Sequence, residues 1–206
     1  MKVLKFGGTS VGSAQRMKEV SRLITEDNET KIVVLSAMSG TTNSLLEISD
    51  YLYKRNPAGA MDKIAALEKK YEATVNELYT KDEFKAKGMA IIAERFNTLR
   101  EIASSTRIFS SIEERIVVAQ GELISTALVN NYLLEQGVNS VLLAALDFMR
   151  TDKNAEPDMS YIKENIQKTL DANTGKQIYI TQGFICKNSY NEIDNLQRGG
   201  SDYTAS

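Results

Sequence analysis

The sequence KFGGTSV at residues 5–11 decides the fold, because it places a glycine pair between a strand pattern and a helix pattern. Residues 3–6 predict a short strand, and the apolar residues of 14–25 recur at helical spacing, with Ser13 as the N-cap. Bare glycine backbone beside Lys5, followed by hydroxyl residues, suits an anion. We therefore interpret this turn as one side of a phosphoryl-transfer site.

The sequence RGGSD at residues 198–202 repeats this chemistry near the other end of the chain. A basic residue and a glycine pair are followed by a hydroxyl and a carboxylate, which favour the start of a helix. We expect the two turns to form the two sides of one site. The chain stops at Ser206, soon after this turn, so we also expect the sequence to be part of a longer protein.

The apolar run KIVVL at residues 31–35 is typical of a strand buried on both faces of a parallel sheet. It leads through the polar loop 36–43 into a helix pattern, which makes a second strand-turn-helix unit. Further strands are predicted at 138–146 and 177–184, with a helix within 159–172. Together these elements predict a three-layer α/β fold with a mainly parallel sheet.

Helical spacing continues almost without a break from residue 41 to residue 109. We expect a helical insertion at about 57–110 that is mobile relative to the sheet. The sequence SIEE at residues 111–114 is a capping-box signature, so a long helix is predicted to begin there and to run towards Gly137. One domain with an elaborated helical face is the simplest organisation.

Composition limits the partners. Lys and Arg number 25 against 27 Asp and Glu, a net charge of -2, which gives no overall field for attracting nucleic acid or an anionic membrane. No apolar run is long enough to span a bilayer, and the N-terminus has no apolar signal core. We therefore predict a cytoplasmic protein with neither a nucleic-acid nor a membrane partner.

The absence of histidine limits the chemistry. It removes Ser-His-Asp and Cys-His nucleophilic machinery together with every His-based metal site. Cys186 is the only cysteine, which rules out an intramolecular disulfide or a cysteine zinc cluster and fits a reducing compartment. Lysine, arginine, carboxylates, hydroxyls and backbone N–H groups remain, and these suit phosphoryl transfer.

Five motifs in consistent order resemble the aspartate kinases, which have the amino-acid kinase fold. They are KFGGTSV at 5–11, LSAMSGTTN at 35–43, GE at 121–122, TQGFI at 181–185 and RGGSDYTA at 198–205. The resemblance implies transfer of the γ-phosphoryl group of ATP to the β-carboxylate of L-aspartate, with Mg²⁺ as cofactor. The product would be 4-phospho-L-aspartate, the first intermediate towards lysine, threonine, methionine and isoleucine.

Two residues are the candidate catalytic groups. The resemblance places Lys5 at the β- and γ-phosphates, and a compact ammonium beside bare glycines suits that role. It gives Asp202 the task of orienting the acceptor or the phosphoryl group, with a helix cap as the alternative. The candidates for phosphate and ATP binding are Lys5, Gly7, Gly8, Thr9, Ser10, Gly199 and Gly200. No carboxylate cluster for a metal is visible, so we expect the nucleotide phosphates to carry Mg²⁺.

The candidate substrate-binding residues follow other strands, and they are Ser36, Ser39, Thr42, Glu122, Phe184, Arg198 and Ser201. The resemblance implies that Ser36 and Thr42 contact aspartate, whereas capping the next helix is an equal alternative for Ser39. Ser201 would donate a hydrogen bond to substrate or phosphate. The Phe184 side chain would form part of the wall of the aspartate pocket.

Two charged residues would hold the ends of the amino acid. By resemblance Glu122 pairs with the substrate ammonium, and the missing side chain of Gly121 would let a ligand approach the helix closely. A solvated glutamate is the alternative. Arg198 is assigned to the α-carboxylate, which a guanidinium can bind through two hydrogen bonds, unless it forms a salt bridge at the rim. Gln197 stands where the family often has glycine, and the role of Arg150 stays open.

Aspartate kinases continue into further regions, so we expect residues 1–206 to be the amino-terminal part of a kinase domain. The nucleotide-side remainder and the ACT regulatory domains would be absent, and the full-length protein would be a homo-oligomer. The parent could be monofunctional or fused to homoserine dehydrogenase. Alternatives are another amino-acid kinase, such as a glutamate or acetylglutamate kinase, and a non-catalytic amino-acid-binding module. The complete motif at 198–205 argues against the first, and Lys5 with Asp202 argues against the second.

Overall fold

The computed structural model describes residues 1–105, 108–196 and 200–206. Its elements in chain order are β1 (Lys2–Phe6), α1 (Ala14–Thr25), β2 (Lys31–Leu35), α2 (Thr41–Tyr53), α3 (Pro57–Leu78), α4 (Asp82–Ser104), α5 (Ser111–Glu135), β3 (Ser140–Leu143), α6 (Ala145–Phe148), α7 (Met159–Asp171), β4 (Ile178–Gln182), β5 (Ile185–Lys187), β6 (Ile193–Asn195) and α8 (Gly200–Ala205).

The central sheet has four parallel strands in the order β1-β2-β4-β3. Phe6 lies beside Leu35, and Leu35 lies beside Gln182, so three strands end together. The loops that follow these strands consequently meet at one edge of the sheet, where open α/β sheets bind ligands. The predicted parallel sheet is confirmed.

Helices cover both faces of the sheet. Val33 and Ile180 belong to a buried cluster that includes residues of α1 to α5. Tyr179, from the opposite face, belongs to a second buried cluster, against which Ile162 and Ile166 of α7 pack. Alternating residues of one strand therefore serve two cores, and the three-layer prediction is confirmed.

The helices α3 and α4 share the first core with the sheet. Tyr71 of α3 and Phe96 of α4 are fully buried, with ring centroids 5.9 Å apart. Lys18 of α1 donates to the backbone carbonyl of Glu77 over 2.7 Å, which ties α3 to the helix after the first glycine turn. The two helices thus share a buried interior with the sheet, and motion of the helical segment relative to the sheet stays a prediction. None of the described helices is both long and apolar enough to cross a membrane.

Three local predictions were wrong in detail. The capping box begins at Ser110, not Ser111, because the Glu113 carboxylate accepts from the Ser110 backbone N–H and completes the motif one residue earlier. The strand predicted at 138–146 is only Ser140–Leu143, since the short helix α6 follows. The strand predicted at 177–184 ends at Gln182, and the antiparallel β5–β6 hairpin after it was missed because its strands have three residues each.

Candidate active site

A cavity of about 460 Å³ lies at the edge of the sheet where β1, β2 and β4 end. Its wall combines the loops after these strands with α5 and the first turn of α8. Eleven residues that the sequence singled out line it: Lys5, Gly8, Thr9, Ser36, Ser39, Thr42, Glu122, Phe184, Gly200, Ser201 and Asp202. The fold thus gathers part of the first glycine turn, residues 200–202 and the loop at residues 36–43, which we call the serine-rich loop, around one space.

Four candidates are not among the described residues that line the cavity. Gly7 and Ser10 do not line the cavity; the Ser10 backbone N–H donates to the Gly7 carbonyl over 2.9 Å and closes the turn. Arg198 and Gly199 lie outside the described residues, together with Gln197. The roles assigned to these two thus stay predictions.

The two ends of the chain meet through an ion pair. The Lys5 ammonium lies 2.8 Å from Oδ1 of Asp202, and the two side chains are 30% and 71% exposed. Asp202 lies in the first turn of α8, where it reaches back to β1. Its carboxylate thus lies against the lysine at the mouth of the cavity, and the catalytic role of Asp202 stays a prediction.

The first glycine turn packs directly against the loop after β2. A Cβ atom on Gly8 would lie 2.8 Å from the Ala37 carbonyl oxygen, so any larger residue there would push the two loops apart. Ser13, further along, accepts from the Arg16 backbone N–H and caps α1, as predicted. The glycine is therefore needed to bring Lys5 and the serine-rich loop to one site.

Hydrogen bonds join the serine-rich loop to its neighbours. The Ser36 and Ser201 hydroxyls lie 3.2 Å apart, so either can donate to the other or to a ligand between them. Ser125 of α5 donates to the Ser36 carbonyl over 2.8 Å. Thr204 donates to the Gly183 carbonyl over 2.7 Å and holds α8 against the end of β4.

The structure decides against a capping role for Ser39. The N-cap of α2 is Gly40, and no side chain provides a cap hydrogen bond there. Ser39 and Thr42 are exposed and line the cavity. Both remain candidates for contact with a ligand.

Glu122 is a buried carboxyl group inside the cavity wall, with 4% of the residue exposed. Its Oε2 accepts from the backbone N–H groups of Gly183 (3.0 Å) and Phe184 (2.7 Å). Burial raises its pKa from 4.5 to about 7, although these hydrogen bonds, the Ser201 hydroxyl and the Lys5 charge favour the ionised form. Because the residue is buried, the solvated-glutamate alternative is wrong.

The prediction that Gly121 leaves room for a ligand was wrong. A Cβ atom there would lie 2.9 Å from the Ala37 Cβ, 3.1 Å from the Thr41 Cγ2 and 3.2 Å from the Leu45 Cδ1. The missing side chain therefore allows α5 to pack closely against α2. Gly121 contributes to the site only by setting how near Glu122 lies to the serine-rich loop.

Several contacts near the site had no sequence signal. Ser125 supports Ser36, as described, and Lys70 of α3 donates to the Ser39 carbonyl over 2.8 Å. Neither belongs to a glycine turn or follows a strand. Arg150, whose role the sequence leaves open, pairs with Asp158 (2.6 Å) and lies 3.8 Å from the centroid of the Tyr161 ring, which orders the loop before α7.

The acidic groups that line the cavity within the described residues are Glu122 and Asp202. Among the described positions no group of three or more His, Cys, Asp or Glu could hold a metal ion. Mg²⁺ binds proteins through one or two carboxylates and takes its other ligands from phosphates and water. An Mg²⁺ ion at this site would therefore take most of its ligands from a bound nucleotide and from water.

The α/β fold brings Lys5 at the end of a parallel strand, Gly8 of the first glycine turn and the buried Glu122 of α5 to one cavity, an arrangement that occurs in the amino-acid kinase fold. The chain belongs to the amino acid kinase family, whose model matches residues 1–206. It is 31% identical over 206 residues to the lysine-sensitive aspartokinase 3 of Escherichia coli strain K12, a match that covers 98% of this chain and 44% of that protein.

Bifunctional proteins are similar as well. The chain is 28% identical over 211 residues to the chloroplastic bifunctional aspartokinase/homoserine dehydrogenase 1 of Arabidopsis thaliana, covering 98% of this chain and 23% of that protein.

The structure of E. coli aspartokinase III in complex with aspartate and ADP matches with a TM-score of 0.84 and 29% identity, over 100% of this chain and 45% of that one. The chain thus spans less than half the length of these relatives.

Proposed function

We propose that this chain provides the acceptor side of an aspartate kinase. The reaction would transfer the γ-phosphoryl group of MgATP to the β-carboxylate of L-aspartate and give 4-phospho-L-aspartate. This product starts the synthesis of lysine, threonine, methionine and isoleucine. The observation that carries the proposal is the meeting of Lys5, Asp202 and buried Glu122 in one cavity, beside the hydroxyls of Ser36 and Ser201. Similarity to an aspartokinase that was crystallised with aspartate and ADP supports it.

Each group has a task that its position suits. The Lys5 ammonium would neutralise charge on the transferring phosphoryl group, and Asp202 would hold that ammonium in place. The carboxylate of Glu122, which is almost fully buried in the cavity wall, would receive the aspartate ammonium. Arg198 remains the predicted partner of the α-carboxylate. Mg²⁺ would come with the nucleotide and bridge its phosphates.

The domain organisation remains a proposal of the same kind. We propose that residues 1–206 form the amino-terminal part of the kinase domain and that other segments supply much of the nucleotide pocket, the ACT domains and a homo-oligomeric interface. Similarity to both single-function and fused aspartokinases leaves the parent protein open. A cytoplasmic location remains a prediction.

Calorimetric titration of the 206-residue chain tests the proposal. We expect saturable binding of L-aspartate, weaker binding of L-glutamate, and little binding of MgATP. Tighter binding of glutamate would favour a different amino-acid kinase. In the complete kinase polypeptide, phosphoryl transfer to aspartate should depend on Lys5 and Asp202. Aspartate binding without any transfer there would favour a binding module instead.

A further inference from the structure

The loop at residues 36–42 carries the hydroxyls of Ser36, Ser39 and Thr42, and it has few hydrogen bonds within itself. The Thr41 backbone N–H donates to the Met38 carbonyl over 3.0 Å, and Gly40 adopts a positive φ of 80°. Gly40 is also the N-cap of α2, so no side chain caps that helix. We call residues 36–42 the acceptor loop. Its shape therefore depends on the elements that pack around it.

Helix α3 contacts this loop through three side chains on one side of the helix. Lys70 donates to the Ser39 carbonyl (2.8 Å), Tyr71 shares a hydrogen bond with the Thr41 hydroxyl (2.9 Å), and the Thr74 hydroxyl lies 3.8 Å from the Met38 sulfur. The three partners lie within four successive residues of the acceptor loop. The helix thus supports the loop along much of its length.

Lys70 differs from the other two contacts in its surroundings. Tyr71 is fully buried and Thr74 nearly so, which means that changing either would disturb the core. Lys70 is exposed, and its ammonium lies close to the loop, 3.7 Å from the position that a Cβ atom on Gly40 would take. Its contact can be removed without a cavity in the core.

We propose that Lys70 is a positioning residue that holds the Ser39 carbonyl and so keeps the acceptor loop in the shape that binds the amino acid. This inference rests on the proposed function. Without the ammonium, the Ser39–Gly40 segment keeps its flexible glycine but loses its outer anchor, and the hydroxyls of Ser39 and Thr42 no longer have one fixed arrangement. The lysine acts through the loop and need not touch the ligand.

The test compares Lys70→Met with Lys69→Met in the 206-residue chain. Lys69 is the exposed neighbour on α3, and the same charge is lost in both variants. We expect Lys70→Met to weaken calorimetric binding of L-aspartate about 3- to 10-fold, as for loss of one charge-assisted hydrogen bond at a surface. Lys69→Met should bind like the unchanged chain, and Lys70→Arg, which can donate to the same carbonyl, should recover most of the affinity.

A second readout does not depend on the ligand. Hydrogen exchange at the backbone amides of residues 36–42 should become faster in Lys70→Met and stay unchanged in Lys69→Met, while the melting temperature changes little in either. Unchanged exchange, or faster exchange with unaltered aspartate affinity, overturns the positioning role. If the unchanged chain does not bind aspartate, the proposed function fails, and the exchange measurement still decides whether Lys70 anchors the loop.

Discussion

The Lys5 ammonium lies 2.8 Å from the Asp202 carboxylate, so one ion pair joins the end of β1 to the first turn of α8. These residues come from opposite ends of the chain: Lys5 precedes one glycine pair in the sequence, and Asp202 follows the other. An exposed ion pair contributes little to folding. The reason for bringing the two charges together is therefore better sought in the chemistry of the cavity.

Replacing Asp202 with asparagine should affect catalysis far more than stability. The amide keeps the size of the side chain but removes the charge that holds the Lys5 ammonium, so we expect kcat for phosphoryl transfer to fall roughly 10- to 100-fold. The free energy of unfolding should change by less than about 1 kcal/mol, because the carboxylate is exposed. Asp62→Asn, at an exposed position of α3, is the matched control for enzyme kinetics and denaturant titration. The prediction would be contradicted if Asp202→Asn lowered the free energy of unfolding enough for unfolding alone to explain the lower kcat.

Two replacements of Lys5 should separate the effect of its charge on kcat from the effect of its shape. Lys5→Met removes the charge and should lower kcat roughly 100- to 1000-fold, as for other groups that stabilise charge in a transition state. Lys5→Arg keeps the charge, but its planar guanidinium is bulkier than the ammonium, which lies beside the bare Gly7. We expect this variant also to lose turnover while remaining folded.

The control for this pair is Lys2→Arg. Lys2 lies on the same strand but pairs with Glu29 at the opposite end of the sheet, so its replacement should leave kcat unchanged. Circular dichroism would establish that the variants are equally folded. Equal activity of Lys5→Arg and the unchanged protein would remove Lys5 from the catalytic groups.

The sequence predicted the site better than it predicted the helices' packing. Motifs next to strand ends are short-range signals, and a parallel sheet brings strand ends to one edge, so the sequence alone groups Lys5 with Ser36. Asp202 follows the antiparallel β5–β6 hairpin instead, and the repeated glycine-pair chemistry is what associates it with Lys5 in the sequence. The helix periodicity of α3 indicates which face is buried. It does not indicate that Lys70 reaches the Ser39 carbonyl, since contacts between distant segments leave no pattern in either one.

Gly121 is a second case in which contacts between distant segments could not be predicted from the sequence. The sequence favours Gly121 as room for a ligand, because a glycine before an acidic residue in an apolar helix has no local explanation. In the folded chain, α2 occupies this room. Whether a missing side chain admits a ligand or a neighbouring helix depends on tertiary packing, which a single sequence does not reveal.

Gly121→Ala should therefore destabilise the protein. Its new methyl group would lie 2.9 Å from the Ala37 Cβ and 3.1 Å from the Thr41 Cγ2, so α5 and α2 must separate. Overpacking of this kind costs about 1–3 kcal/mol, although alanine favours the helix by about 1 kcal/mol. Denaturant titration against Ser111→Ala, at an exposed position of the same helix, would measure the net loss. A variant as stable as the parent would show that the helices adjust freely.

The buried carboxyl of Glu122 should make stability depend on pH. The unfolded chain loses this proton near pH 4.5, whereas the folded chain keeps it up to about pH 7. The folded state binds more protons in this interval, so the contribution of Glu122 to the free energy of unfolding is full below pH 4.5 and declines as the pH rises to about 7. Glu122→Gln cannot ionise. The free energy of unfolding of this variant, relative to that of the unchanged protein, should therefore rise by on the order of 2–3 kcal/mol between pH 4.5 and pH 8.

Denaturant titrations at several pH values would measure this difference. Glu72→Gln, on the exposed side of α3, is the control and should show no such trend. A constant difference between Glu122→Gln and the unchanged protein across the range would mean that burial does not raise the pKa of this carboxyl.

Binding of L-aspartate should release a proton from the same carboxyl. The substrate ammonium pairs with the ionised form of Glu122, so binding lowers the raised pKa and expels the proton that burial retains. Near pH 7 about half of the molecules still carry it, which predicts release of about 0.5 proton per aspartate bound and weaker binding at lower pH. Calorimetry in buffers of different ionisation enthalpy measures this number directly. Proton uptake, or no exchange at all, would place the substrate ammonium elsewhere in the cavity.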